Sequence, residues 1–258
     1  MSAVFAPCVI IPVYRHAHLL ESLLVQLQAL GVDAILVNDG GDEQASLTLR
    51  ELAERFGYLL CEQFPNGGKG SAVLLGMQHA AAAGYSHALQ IDADGQHNAA
   101  DIPRLLSQAE VEPTAVIAGV PVYDDSVPRH RFYSRYLTHV CVWIETLSLE
   151  IKDSMCGFRV YPLAPVLALA RSTSIGSHMD FDTEIIVRLF WRGLRVISVP
   201  TKVIYPENGV SNFRLWRDNL AISWMHLRLL LGMLLRSPRL LYHRWQRRGQ
   251  VLTVTTHE

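Results

Sequence analysis

The chain has 258 residues, half of them hydrophobic and 18% charged, with four cysteines and a net charge of −1. That composition excludes an intrinsically disordered chain, a small disulfide scaffold and a generally basic nucleic-acid coat. The near-neutral total conceals an asymmetry: residues 214–248 hold eight arginines against one acid, Asp218, so an acidic body precedes a basic C-terminal region. The cysteines at 8, 61, 141 and 156 lack CxxC spacing and suit a reducing compartment. No basic start marks a signal peptide. No run of 18 uncharged apolar residues announces a spanning helix.

Short apolar runs alternate with helical patterns through the first half. Val9–Ile11 with Val13 predicts a strand, and the leucines at 19, 20, 23, 24, 27 and 30 predict a helix with one buried face, stopped at Gly31. Ala34–Val37 is a second strand, followed by a helix opened by Asp42 or Ser46 and closed at Gly57. Leu59–Leu60 begins a third strand. A glycine-rich loop, Asn66–Gly70, then leads to a helix over 72–83 capped by Ser71. Ala88–Ile91 is a fourth strand, running directly into Asp92. Four such alternations predict a mostly parallel α/β sheet with helices on its faces. Ligands bind such sheets beyond the carboxyl ends of the strands, where Tyr14, Asp39, Asn66–Gly70 and Asp92–Asp94 fall. Further on, the pattern predicts helices over 101–109, 132–147 and 181–191, strands over 114–118 and 195–199, and an irregular stretch over 151–161. Residues 213–235, rich in leucine and arginine, read as one or two helices. The chain divides into a body, 1–213, and a basic leucine-rich region, 214–258.

The sharpest chemical signal is Asp92-Ala-Asp-Gly-Gln-His97, two carboxylates that reach one point in the turn after an apolar strand. Such oxygen ligands suit Mg²⁺ or Mn²⁺, held by one or two carboxylates together with substrate phosphates. A nitrogen from His97 would favour Mn²⁺; a structural hydrogen bond is the other reading of that histidine.

Five ordered segments resemble glycosyltransferase family 2, the inverting enzymes of GT-A fold, and within it the polyprenyl- and dolichol-phosphate sugar synthases. They are Val9–Tyr14, Val37–Gly40, Asn66–Gly70, Asp92–His97 and Asp153-Ser-Met-Cys-Gly-Phe-Arg159. Two positions depart from the family pattern in the second segment: Asn38 stands for the first acid and Gly41 for a serine. The arginine common after the fifth strand is also missing from Gly119-Val-Pro121, and the Tyr205–Ser211 loop carries an acid where a basic residue is usual.

The resemblance implies a metal-dependent transfer of sugar from a UDP- or GDP-linked donor. Pro12, Tyr14 and Asp39 would meet the nucleoside, Lys69 the phosphates, Asp92 the ribose or diphosphate, Asp94 with His97 the ion, and Gln96 the sugar. A hydroxyl acceptor needs a general base, for which Asp182, Glu184 and Asp153 are candidates, with Asp180 beside them; Asp153 could instead orient the donor sugar. A phosphate acceptor needs cations instead, from Arg135, Arg159, Arg129 and Arg131. The implied acceptor is lipid-linked or membrane-proximal. The alternatives are transfer to a hydroxyl of a soluble glycan and a non-catalytic nucleotide-sugar binding protein. Residues 219–235, apolar but for His226 and Arg228 and flanked by arginines, suit a helix lying on an anionic membrane surface; packing on the body, or against a second copy, is the other reading. A cytoplasmic protein, peripheral on a membrane and without nucleic-acid partners, is the expectation.

Overall fold

The computed structural model describes residues 4–14, 17–122, 129–203 and 215–254, without the side chains of 18–19, 129–134, 215 and 243–254. The side chains of Arg129 and Arg131, the Tyr205–Ser211 loop and Arg214 therefore lie outside the described residues. The elements run β1 (Pro7–Val13), α1 (Ala17–Leu30), β2 (Ala34–Asp39), α2 (Glu43–Phe56), β3 (Leu59–Gln63), α3 (Lys69–Ala82), β4 (His87–Gln90), α4 (Ile102–Val111), β5 (Val116–Val122) and α5 (Arg129–Thr146). They continue with β6 (Arg159–Pro162), α6 (Leu163–Ser172), α7 (Phe181–Trp191), β7 (Val196–Lys202) and α8 (Leu215–Val254).

The expected mostly parallel sheet is present. Seven strands lie in the order β3-β2-β1-β4-β6-β5-β7, and β6 alone runs antiparallel to its neighbours. Alternate residues of each strand face opposite sides. Val9, Ile11, Val13 and Leu36 pack with α1, α2 and α4, whereas Cys8, Ile10, Ile35 and Val37 pack with α3, α6, α7 and α8. Both faces are covered, so the strands read as nearly continuous apolar runs. The chain leaves β1 first towards β2 and β3 and later towards β4, which opens a crevice at the carboxyl ends of β1, β2 and β4.

Three expectations need correction. First, α3 begins at Lys69 and Ser71 is not its cap. The amides of Gly70 and Ser71 donate to the Ser177 carbonyl at 2.8 and 3.3 Å, and the Ser71 hydroxyl donates to Gln63 Oε1 at 3.1 Å. A distant carbonyl thus satisfies the free helix-start amides. Second, the stretch read as irregular ends in β6, and α6 follows it. At four residues, β6 is too short to show a period, and it carries a buried arginine. Third, the C-terminal helix, expected over 213–235 as one or two helices, is one element that continues to Val254, 40 residues in all and about 60 Å long.

Along α8, Met225, Leu229, Met233 and Leu240 are buried in the core shared with α7, while Trp216, Leu220, Leu227, Leu231, Leu234 and Leu235 are exposed. These two sets fall on opposite faces at 3.6 residues per turn. The stretch Trp216–Tyr242 is long and apolar enough to cross a membrane by length and composition.

The sheet rests on α1 through Leu20, Leu24 and Leu27, all fully buried. Leu24→Ala should destabilise the fold by about 2–5 kcal/mol. Urea denaturation would measure the loss.

Candidate active site

At the crevice a single cation joins three elements. Lys69 Nζ, at the first residue of α3, lies 2.7 Å from Asp92 Oδ2, just past β4, and 2.8 Å from Asp182 Oδ2, in the first turn of α7. Burial works against the lysine's charge, but Asp182 and Asp92 outweigh it and hold its pKa above the ordinary lysine range. Burial likewise pushes the Asp182 carboxyl up, and the Lys69 and Arg159 charges overcome this to hold it below the ordinary carboxylate range.

The room for this arrangement comes from Gly157. A Cβ there would stand 2.7 Å from both Lys69 Nζ and Gln90 Nε2, closer than carbon and nitrogen can approach. Gln90, wholly buried, donates to the other oxygen of Asp182 at 2.9 Å. Beneath them Arg159 is fully buried, donating to the Asp182 carbonyl at 2.6 Å and to the Tyr161 hydroxyl at 3.2 Å. It is a supporting residue under the site, and its burial removes it from a surface cage for an acceptor.

Asp94 Oδ1 accepts the Gln96 amide at 3.0 Å in a turn that Gly95 makes with φ of 71°. Burial and then the neighbouring Asp92 charge push the Asp94 carboxyl up. Burial lowers His97, whose ring stacks on Phe158 at 5.0 Å while its backbone bridges to Val203. Two buried atoms in this knot have no protein partner, Asp92 Oδ1 and His97 Nδ1. Carboxylates that repel one another beside a neutral imidazole fit a divalent cation. Among the described residues no group of three or more His, Cys, Asp and Glu side chains could hold an ion alone. An ion held there would take part of its coordination from outside the protein.

On the far side of β1, Asp39 is buried. Its Oδ1 accepts the Gly67 amide at 2.9 Å and the Gln63 side chain, and its carbonyl accepts Asn66 Nδ2 at 2.7 Å. Asp39 thus holds the glycine loop that carries Lys69. The two departures in this segment have local causes. Asn38 Nδ2 donates to Ser46 and Glu62, and its Oδ1 accepts the Gly41 amide. Any Cβ at residue 41 would stand 2.3 Å from the Tyr14 carbonyl. Pro12 pairs in register with Val37, so Pro12 and Asp39 stand at the carboxyl ends of neighbouring strands, with Tyr14 just past β1.

The remaining candidates are engaged elsewhere. Asp153 Oδ2 accepts from Arg135 at 2.6 Å, and its Oδ1 accepts the amides of Met155 and Cys156, both at 2.8 Å. Glu184, fully buried, accepts four bonds: Arg188 Nε and Nη2 on Oε1, and Arg228 Nη2 and the Gly176 amide on Oε2. That geometry makes Glu184 an anchor for α8. Cys156 is no nucleophile, since burial and the Asp153 charge push its thiol up to about 12.

Residues 8–175 match the model of Glycosyl transferase family 2. The chain belongs to glycosyltransferase family 2. It is 27% identical over 210 residues to an uncharacterized protein of Methanocaldococcus jannaschii, covering 78% of this chain and 90% of that one. It is 26% identical over 218 residues to the polyprenol monophosphomannose synthase of Mycolicibacterium smegmatis, covering 79% of each. Among solved structures it resembles glucosyl-3-phosphoglycerate synthase from Mycobacterium tuberculosis in complex with Mn²⁺, UDP and glucosyl-3-phosphoglycerate. That likeness has a TM-score of 0.59 and 17% identity, and covers 90% of this chain and 80% of the other. The fold is the GT-A fold expected from the sequence, and the protein is a glycosyltransferase.

Four parts of this family 2 site were not found by reading the sequence: Gln90, the space at Gly157, the Ser177 carbonyl and the anchoring place of Glu184. Gln90 offered a signal, being a polar residue inside an apolar strand next to the acidic knot. The others depend on contacts across many residues.

Lys69→Met leaves Asp92 and Asp182 without their shared cation, so stability at neutral pH should fall by on the order of 3 kcal/mol. Asp182 is depressed in the fold, so its contribution is complete above the ordinary carboxylate value and disappears as pH falls through the folded value. Stability curves of the wild type and the variant should therefore converge in acid, as pH-dependent chemical denaturation would record.

Proposed function

We propose that this glycosyltransferase moves a sugar, with inversion, from a nucleoside-diphosphate sugar to a phosphate-bearing, lipid-linked acceptor of the polyprenyl-phosphate kind. The observation that carries the reading is the acidic knot at the end of β4, with unpartnered Asp92 Oδ1 and His97 Nδ1 beside the half-buried Lys69. Asp94 and His97, with Asp92 adjoining, would hold Mn²⁺ or Mg²⁺. The ion would offset the charge that gathers on the departing diphosphate. Lys69 adds a fixed positive charge at the same place, held there by Asp92 and Asp182. Pro12, Tyr14 and Asp39 would receive the nucleoside, and Gln96 would face the sugar.

In the transfer, an acceptor oxygen bonds to the anomeric carbon from the side opposite the diphosphate, and the carbon–oxygen bond to the diphosphate breaks. The side chains bear on which acceptor oxygen this is. Asp153, Asp182 and Glu184 all pair with cations, and Asp182 is depressed. A carboxylate held below its ordinary range, as Asp182 is, makes a poor base for a hydroxyl. A phosphate monoester is already ionised and needs none. Arg135, oriented by Asp153, would meet that charge. The relative that is a polyprenol monophosphomannose synthase supports the same acceptor class.

The C-terminal helix supports a membrane-proximal site. His226 and Arg228, which interrupt its apolar run, pair with Glu145 and Glu184 of the body at 2.7 and 3.1 Å. The outward face is left apolar: Trp216, Leu220 and Leu235 are 92%, 73% and 84% exposed. Arginines 217, 228 and 239 recur every 11 residues, or about three turns, and so border that face. This arrangement suits a helix lying in the surface of an anionic membrane.

Calorimetry with UDP and GDP, each with and without Mn²⁺, tests the donor side. One nucleotide should bind in a Mn²⁺-dependent manner, and Asp94→Ala should weaken that binding about 10–100-fold; binding indifferent to both would contradict the metal site. A panel of nucleotide sugars offered with a membrane lipid extract and with soluble glycans, read by mass spectrometry, tests the acceptor. Products on the glycans alone would sink the lipid reading.

A further inference from the structure

The last residues of β2 and β3 meet across the sheet. Asp39 pairs in register with Gln63, so their side chains lie next to each other at the crevice. Gln63 Nε2 donates to Asp39 Oδ1, and Gln63 Oε1 accepts the Ser71 hydroxyl at 3.1 Å. An ionised carboxylate only accepts, so the Gln63 amide has one workable orientation. Gly67 gives it room: a Cβ there would stand 2.8 Å from Gln63 Nε2 and 2.9 Å from Ser71 Oγ. Gln63 is thus held at both ends, although it lies on an edge strand and is only half-buried.

The consequence falls on the two oxygens of Asp39. Oδ1 accepts from Gln63 and from the Gly67 amide together, which occupies both of its lone pairs. Oδ2 meets no donor among the described residues and, unlike Asp92 Oδ1, is not sealed from solvent. The carboxylate therefore offers a nucleobase one acceptor and not two. Guanine presents N1–H and its N2 amine side by side, a pair that a carboxylate meets with both oxygens. Uracil presents N3–H alone, between two carbonyls. Against a carboxylate with one open oxygen, the second donor of guanine goes unpaired, and an unpaired polar group costs affinity.

We propose that Gln63 decides the nucleobase: by occupying Asp39 Oδ1 it sets the site for a uridine nucleotide and against a guanosine one. The inference rests on the reading of Asp39 as a nucleoside contact given above. Gln63 is a positioning residue, which acts through Asp39 and not on the base itself.

The test is calorimetry of UDP, GDP and inosine diphosphate, each with Mn²⁺, on the full chain and on Gln63→Met, which keeps the side chain's length and removes its donor. Inosine diphosphate is GDP without the N2 amine, so comparing the two separates the second donor from the size of the purine. The wild type should bind UDP about tenfold or more tighter than GDP, and GDP no tighter than inosine diphosphate. In Gln63→Met the Oδ1 atom is released, and GDP should gain about tenfold on inosine diphosphate. A variant that merely loosens the loop would weaken all three nucleotides alike and leave their ratios in place, and that result overturns the role given to Gln63. GDP bound by the wild type as tightly as UDP, or more tightly, overturns the uridine assignment even where Gln63→Met does not fold. Such Mn²⁺-dependent GDP binding would leave the nucleotide-sugar donor standing. Binding of none of the three nucleotides would overturn that donor and this proposal with it.

Discussion

One half-buried ammonium governs the arrangement of this crevice. Lys69 lies between Asp92 and Asp182, so the end of β4, the start of α3 and the first turn of α7 share a single charge. Two carboxylates this deep repel one another and resist losing water. With the cation between them the cost is offset, and each is fixed in place. The site needs that fixity, because dipoles and charges stabilise a departing diphosphate only when they are already oriented towards it. Gly157 completes the device, since a Cβ at that residue would collide with the lysine.

The same constraint reaches the C-terminal helix. Ser177 receives the first amides of α3, Gly176 donates to Glu184, and Glu184 holds Arg228 of α8. Residues 176–184 therefore form a bracket with the lysine loop on one side and the apolar helix on the other. His226 on Glu145 gives the helix a second polar tie, to α5. Breaking one side of such a buried pair leaves an uncompensated charge, so α8 is fixed by electrostatics as well as by Met225, Leu229 and Met233. The division expected at 213/214 falls among residues that are not described, but α8 itself shares the core of the body.

Much of the architecture was legible because the early strands carry short apolar runs, several of them bounded by glycine or acid, and α1 shows a clear 3.6-residue period of leucines. The acidic knot, the glycine loop and Asp39 were legible as chemistry set at strand ends. What escaped was non-local. Arg159 and Glu184 are charged residues, which ordinarily lie on surfaces, and nothing in their neighbours announces burial. Beyond their local partners Tyr161 and Arg188, each has a distant one, 23 residues away for Arg159 and 44 away on α8 for Glu184. The antiparallel β6 escaped because four residues carry no readable period. His226 and Arg228 looked like flaws in a membrane-seeking helix until the structure turned them towards buried acids.

The account depends on one crevice that receives a divalent ion and a diphosphate together. Its most direct test is anomalous diffraction at the manganese edge from crystals grown with Mn²⁺ and whichever of UDP or GDP binds. The account predicts a single peak bounded by Asp94, His97 and diphosphate oxygens, with Lys69 still paired to Asp182. A nucleotide bound with no peak there, or a peak held by other residues, would contradict it.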